Sequence, residues 1–316
     1  MKILQLDKNH RLIADQLSAK GFLIEEDFYS SYQEILEKIK DFDGIIIRSR
    51  IPLDQNFLEH AEHLKFIARV GAGMENIDSE TAQKLGIALI SSPEGNRDAV
   101  AEQVVGMLLV LMNRLFISSL EVKNGIWKRE ENRGTELKGK TFGIIGYGNM
   151  GKAVAKRLSG FGVEVVFHDI LPNLEDQFAK QVSLSELQER ADVLSLHLPF
   201  TKESHYYIDD NFIDKMKKKF YLINTARGEH VKTKSLVEVI KSGKILGAAL
   251  DVLEYEKSSF ENINASTSLS TSQNADLVFL LQSEKVLITP HIAGWTIESK
   301  EKLAQIIVDK ILNKFG

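Results

Sequence analysis

Three side chains of complementary chemistry, Arg227, Glu256 and His291, follow a glycine-rich hexapeptide, Gly146-Tyr147-Gly148-Asn149-Met150-Gly151. Histidine is the side chain that gives and takes a proton near neutral pH. A carboxylate bonded to one of its ring nitrogens fixes the tautomer and favours the protonated ring. An arginine is a planar fork suited to a carboxylate or carbonyl oxygen. Such a set can reduce a keto acid or oxidise a hydroxy acid, provided a cofactor gives or takes the hydride.

The hexapeptide supplies the case for that cofactor. It follows an apolar strand, Phe142 to Ile145, and opens a helix expected over Asn149 to Leu158. In a GxGxxG loop Gly146 permits the tight turn, Gly148 lets backbone approach a pyrophosphate, and Gly151 lets helix and sheet pack closely. Helix N-terminal amides, from Asn149, Met150 and Gly151, then face the phosphates. The next strand ends in Asp169, placed to accept bonds from ribose hydroxyls and to repel a 2′-phosphate, which favours NAD over NADP. His197, Pro199, Thr225 and Ala226 follow later strands, where residues point into the ligand crevice of such a sheet.

Around these residues the chain alternates strands and helices, the pattern of parallel sheets covered by helices. Strands are expected at 2–6, 22–25, 44–48, 66–70 and 88–90, then at 141–145, 163–168, 193–196, 220–223, 246–250 and 286–288. Between the two series, Asp98 to Leu120 reads as one long helix buried on most faces. The stretch Asn264 to Asn274 has the Ser, Thr, Asn and Gln content of a mobile loop. A final helix over 297–314 carries Leu303, Ile306, Ile307 and Ile311 on one face and is expected to return to the first domain. Two domains follow, 1–97 with 295–316 and 98–294.

Composition narrows the function classes. The 316 residues are 43% hydrophobic and 27% charged, ordinary for a globular chain. A net charge of -4 gives no electrostatic case for nucleic acid or an anionic membrane. The one basic run, Lys217-Lys218-Lys219, reads as a solvated helix end. With no cysteine, disulfides and thiolate zinc sites are excluded, and the histidines lack ligand spacing, so no metal is expected. The longest apolar stretch, Val104 to Met112, is far short of the ~20 residues that span a bilayer. A cytoplasmic protein is expected.

Taken in order, Gly71-Ala72-Gly73-Met74-Glu75-Asn76-Ile77-Asp78, Trp127 through Leu137, the GxGxxG loop, His197-Leu198-Pro199-Phe200-Thr201, Asn224-Thr225-Ala226-Arg227-Gly228-Glu229, Leu250 through Glu256 and Thr289-Pro290-His291-Ile292-Ala293 resemble the D-isomer-specific 2-hydroxyacid dehydrogenases over nearly the whole chain. The resemblance implies an α/β protein of two doubly wound parallel-sheet domains, a flavodoxin-like substrate domain and a Rossmann NAD-binding domain with a cleft between them. It implies that Arg227 orients substrate, His291 is the acid/base and Glu256 holds it, with Glu254 the rival carboxylate. Asp251 and Ala293 join the cofactor set, and His230 is a local hydrogen-bonder. Arg48, Ser49, Arg69 and the amides of Gly71 and Ala72 would bind substrate, the two arginines favouring 3-phosphoglycerate over an uncharged hydroxy acid. Glyoxylate, hydroxypyruvate or D-lactate is the alternative substrate, and a non-catalytic NAD-binding regulator is the reading from another class. A small-molecule substrate and a homodimer through 98–120 are the expected partners. Trp295 is expected to pack in a core, with a place at the crevice as the alternative.

Overall fold

The computed structural model describes residues 1–256 and 271–316. They form two compact units, Met1–Arg97 with Trp295–Gly316, and Asp98–Gly294.

The first unit is built on strands β1 (Lys2–Gln5), β2 (Leu23–Glu26), β3 (Gly44–Ile47), β4 (Phe66–Arg69) and β5 (Ala88–Ser91). They pair in the order β2-β1-β3-β4-β5, all parallel. That is the flavodoxin-like order. Both faces are covered, so the three consecutive isoleucines of β3 are all buried. Alternation divides them: Ile45 and Ile47 join one core cluster and Ile46 the other. The second cluster is completed by the C-terminal helix Ile297–Phe315, which places Ala304, Ile307, Val308 and Ile311 beside Ile13 and Leu17. Burying each isoleucine contributes ~2 kcal/mol, so this helix is an integral layer of the unit rather than a tail. Thr296 caps it, accepting from the Ser299 amide at 3.0 Å.

The second unit carries β6 (Thr141–Ile145), β7 (Glu164–His168), β8 (Lys180–Gln181), β9 (Val193–Leu196), β10 (Phe220–Asn224), β11 (Ile245–Leu250) and β12 (Val286–Ile288). Their order is β12-β11-β10-β9-β6-β7-β8, again parallel throughout. The chain winds outward from β6 to β8, then returns to β9 on the other side, which puts the topological switch point between β6 and β9. Six strands were expected here and, among the described residues, seven form. The added one, β8, has two residues, too few to show any periodicity.

Three other expectations are corrected. The helix expected over 98–120 is two, Pro93–Met112 and Leu115–Lys123, bent by 60°. The break falls at Arg114, whose φ of 52° is left-handed and cannot continue a right-handed helix. The second helix has no buried residue, so the expectation of burial on most faces fails for it. Of the stretch read as a loop, residues 271–274 begin a helix, Thr271–Gln282, which packs Leu277 and Leu280 into a core. The polar start masked an apolar stripe that begins later in the sequence. The rest of that stretch, to 270, lies outside the described residues. Among the described residues no single helix is long and apolar enough to cross a membrane.

Candidate active site

Arg227, Glu256 and His291 follow three adjacent strands. Asn224 pairs with Leu250 and Leu250 with Ile288, so the carboxyl ends of β10, β11 and β12 lie in line. Sheet register therefore collects residues that are far apart in the chain. Two further devices bring them closer. A Cβ on Gly228 would lie 2.0 Å from the Leu253 carbonyl carbon, so only glycine lets the turn after Arg227 rest on the turn that carries Glu256. The Glu256 carboxylate then joins the two remaining parts. Its Oε1 accepts from the Leu253 amide at 2.5 Å, and its Oε2 lies 2.8 Å from Nδ1 of His291.

His291 itself has φ 55°, a left-handed conformation that costs a non-glycine residue on the order of 1 kcal/mol. Asp251 holds it there. This carboxylate is 1% exposed, and it accepts from the Thr289 hydroxyl at 2.5 Å, the Ile292 amide at 2.9 Å and the Ala293 amide at 2.8 Å. Its own carbonyl accepts from the His291 amide at 2.8 Å. Burial pushes the Asp251 carboxyl up, against those hydrogen bonds and the nearby His291. The sequence placed Asp251 and Ala293 with the cofactor; in the structure they are bonded to each other and form the anchor of the histidine loop. The residue type and the strand-end position marked Asp251, but nothing in the sequence tied it to residues 289–293.

The rival carboxylate has other work. Glu254 accepts from the Tyr206 hydroxyl at 2.5 Å and from the Thr233 amide at 2.8 Å. Tyr206 is pushed up to about 12 by its bond to Glu254, and by burial. Glu254 thus ties the turn of Glu256 to the start of the helix Thr233–Ser242 and to the segment after Pro199. Arg227 donates from Nη1 to the Ala226 carbonyl at 2.6 Å, and its own carbonyl accepts from Asn224 Nδ2 at 2.8 Å.

At the switch point, Gly146 has φ 89°, and a Cβ there would come within 2.6 Å of the His197 carbonyl oxygen. A Cβ on Gly151 would meet the Gly146 carbonyl at 2.3 Å, whereas one on Gly148 meets nothing within 4 Å. Gly148 is also the N-cap of the helix Asn149–Leu158, which has no side-chain cap. Open space in front of first-turn amides that no side chain satisfies is the arrangement a pyrophosphate fills. The Thr225 hydroxyl, at the end of β10, is buried with no protein partner, a second polar group suited to a ligand. Asp169 accepts from the Tyr147 amide at 2.7 Å and the Leu171 amide at 2.9 Å, which fixes its carboxylate beside the loop while each oxygen keeps a lone pair for a ribose hydroxyl. These residues fit a dinucleotide. His197 turns its ring to Ser195, 2.9 Å away, and burial holds it down at about 4, so it is neutral. His230 is buried, with Nε2 3.3 Å from the Pro199 carbonyl, a local role. Among the described residues no group of three or more His, Cys, Asp or Glu could hold a metal ion.

In the first unit Arg48 and Arg69 end neighbouring strands, and Arg69 Nε donates to the Arg48 carbonyl at 3.2 Å. A Cβ on Gly71 would lie 2.0 Å from Arg69 Nη1, so the glycine admits the guanidinium. The Gly71 amide donates to the Arg69 carbonyl at 2.9 Å and lies 3.2 Å from the Ser92 hydroxyl. Its hydrogen is engaged there. Arg50 donates to the carbonyls of Leu6, Ser30 and Asp27 and is a structural brace. Trp295 is not in a core. It is 60% exposed and lies over the Arg48 guanidinium, 4.3 Å from ring centre to carbon.

Residues 105–293 match the family model for the NAD binding domain of the D-isomer specific 2-hydroxyacid dehydrogenases. The chain is 35% identical over 300 residues to a glyoxylate reductase of Thermofilum pendens, covering 91% of this chain and 82% of that protein. It is 34% identical to D-3-phosphoglycerate dehydrogenase 1 of Saccharomyces cerevisiae, covering 100% of this chain and 66% of that one. A crystal structure of D-lactate dehydrogenase from Aquifex aeolicus, complexed with NAD and lactic acid, superposes with a TM-score of 0.84 at 29% identity, over 99% and 96% of the two chains.

Proposed function

The chain belongs to the D-isomer specific 2-hydroxyacid dehydrogenases, and on that premise we propose that its substrate is a phosphorylated D-2-hydroxy acid, 3-phosphoglycerate, oxidised to 3-phosphohydroxypyruvate. The chain is an NAD-dependent dehydrogenase of this family. The observation that carries the substrate reading is the pair of adjacent arginines, Arg48 and Arg69, since a phosphate group brings a second anion that a plain hydroxy acid lacks. Several relatives named for phosphoglycerate support it. The names of two others, a glyoxylate reductase and a hydroxypyruvate reductase, favour a second reading, reduction of a small keto acid.

The loop 146–151 and Asp169 would hold NAD, which when bound would supply the hydride acceptor or donor. The protein's part is proton transfer and orientation. With Nδ1 of His291 on Glu256, the neutral ring carries its lone pair on Nε2. In oxidation Nε2 takes the proton of the substrate hydroxyl, and the imidazolium so formed is stabilised by the adjacent carboxylate. In reduction the same nitrogen returns the proton to the carbonyl oxygen. Arg227, which presents its N–H groups in one plane, fixes a carboxylate or carbonyl of the substrate. A dyad complete to the hydrogen bond argues for turnover rather than a purely regulatory role. A homodimer is supported by the helix Leu115–Lys123, which buries none of its residues and exposes Leu115, Phe116 and Leu120.

The test is NADH formation or consumption across 3-phosphoglycerate, D-lactate, D-glycerate, hydroxypyruvate and glyoxylate. The expected result is the highest kcat/KM for 3-phosphoglycerate among the hydroxy acids. Turnover of glycerate without turnover of the phosphorylated acid overturns the assignment.

A further inference from the structure

Trp295 is out of place by ordinary packing rules. A tryptophan left 60% exposed belongs to neither core cluster of its unit, yet its ring is set against one cation. That cation is fixed on its backbone side too. The Arg48 amide donates to Asp7 Oδ2 at 2.6 Å, and its carbonyl accepts from Arg69 Nε at 3.2 Å. Burial pulls the Arg48 guanidinium down from its usual value, against the attraction of Asp7, so the group is partly stripped of water.

All donors of a guanidinium lie in its plane. An indole on one face therefore removes no hydrogen bond, gains a cation–π contact and leaves the edge for an acceptor. A lysine in the same place would have no such preferred edge. The chain also gives Trp295 a particular neighbour: it stands four positions after His291 and two after Ala293, the last amide held by Asp251.

We propose that Trp295 is a positioning residue for substrate selection, its indole holding the Arg48 guanidinium edge-on as a receptor for the oxygens of an anionic 2-keto or 2-hydroxy acid. This rests on the dehydrogenase reading above and deepens it. Selection then comes from geometry as well as charge, because two coplanar N–H donors match a carboxylate or two phosphate oxygens better than a single ion does.

The experiment compares wild type with Trp295→Ala, Trp295→Phe, Arg48→Lys and the Arg48→Lys/Trp295→Ala pair. Steady-state kinetics on the best keto acid are read beside the Kd of oxalate, an unreactive dianion, by calorimetry with NADH present. Trp295→Ala is expected to raise KM and the oxalate Kd about tenfold. Under the same cation–π reasoning kcat should change by less than about threefold. Trp295→Phe should recover most of the loss, since a phenyl face still attracts the cation, and Trp295→Ala should add nothing once Arg48 is lysine. An unchanged KM and oxalate Kd in Trp295→Ala, an equal loss in the lysine background, or a loss confined to kcat overturns the proposal. If wild type takes a small keto acid with a Trp295-dependent KM but does not turn over 3-phosphoglycerate, the phosphorylated-substrate reading fails and this proposal stands. If wild type turns over and Trp295→Ala matches it, only this proposal fails.

Discussion

The His291 loop and the Arg48–Arg69 pair are held in different ways. In the second unit, carboxylates grip backbone: the buried Asp251 takes the amides of Ile292 and Ala293, and the half-buried Glu256 takes the Leu253 amide before it reaches the histidine. In the first unit, the Arg48 carbonyl holds the Arg69 guanidinium and the Trp295 ring lies over that of Arg48. Charge-assisted bonds to backbone are about twice as strong as neutral ones and fix position within tenths of an ångström. A cation–π contact contributes ~1–2 kcal/mol and tolerates sliding. The comparison teaches that His291 is placed through hydrogen-bonded backbone, whereas the Arg48 guanidinium is placed by the face of one exposed ring.

The largest expected effect comes from removing the backbone-anchored group. His291→Ala should lower kcat by ~10³-fold, within the range for a general acid–base, with NADH affinity intact by fluorescence titration. Undiminished turnover would show that the carefully anchored histidine is not the proton carrier. Next comes the pair of carboxylates. Glu256→Gln should lower kcat roughly 10–100-fold, because the imidazolium loses its counter-charge. Glu254→Gln should leave kcat within about threefold and instead lower the unfolding free energy by about 1–2 kcal/mol through lost hydrogen bonding, read as a lower melting temperature. If the two glutamines exchange these phenotypes, the assignment of the dyad is reversed.

A last effect, on stability alone, separates the units by their response to acid. His197 is held near 4 by burial, so the folded second unit takes up its proton only well below the unfolded value of about 6.5. Stability from this group is present above about 6.5 and is lost as pH falls toward 4, by about 2 kcal/mol at pH 5. In the first unit, Asp27 is pushed up by burial but pulled further down by its bond to Lys38, and it stays ionised well below the usual carboxylate range. Its contribution is present above the ordinary aspartate value and is lost only as pH falls below it. Hydrogen exchange at pH 7 and pH 5 should therefore show protection falling in β6 and β9 before β1 and β3. Equal losses in both sheets would remove His197 as the cause.

How much was legible in advance varied with how local the cause is. The glycine loop, the strands of both sheets and the helix Asn149–Leu158 could be read because each is written in consecutive residues, as turn chemistry or as periodicity. β8 and the break at Arg114 could not, since a two-residue strand has no period and Arg114 is not a residue type that announces a left-handed turn. The helix beginning at Thr271 was hidden by its polar first turn. Trp295 was misjudged because a large aromatic residue is more often buried, and only its contact with Arg48 shows why it is not.

The sequence by itself determined the fold class, the nucleotide loop and the identity of Arg227, Glu256 and His291 as candidates, because these depend on residue type and order. The tertiary structure decided the rest. It separated Glu256 from Glu254, two residues apart with the same functional group, by giving one to His291 and the other to Tyr206 and Thr233. It made Asp251 the anchor of a loop some forty positions away. Such pairings are set by the register of β10, β11 and β12, and register is a property of strands that meet only when the chain has folded.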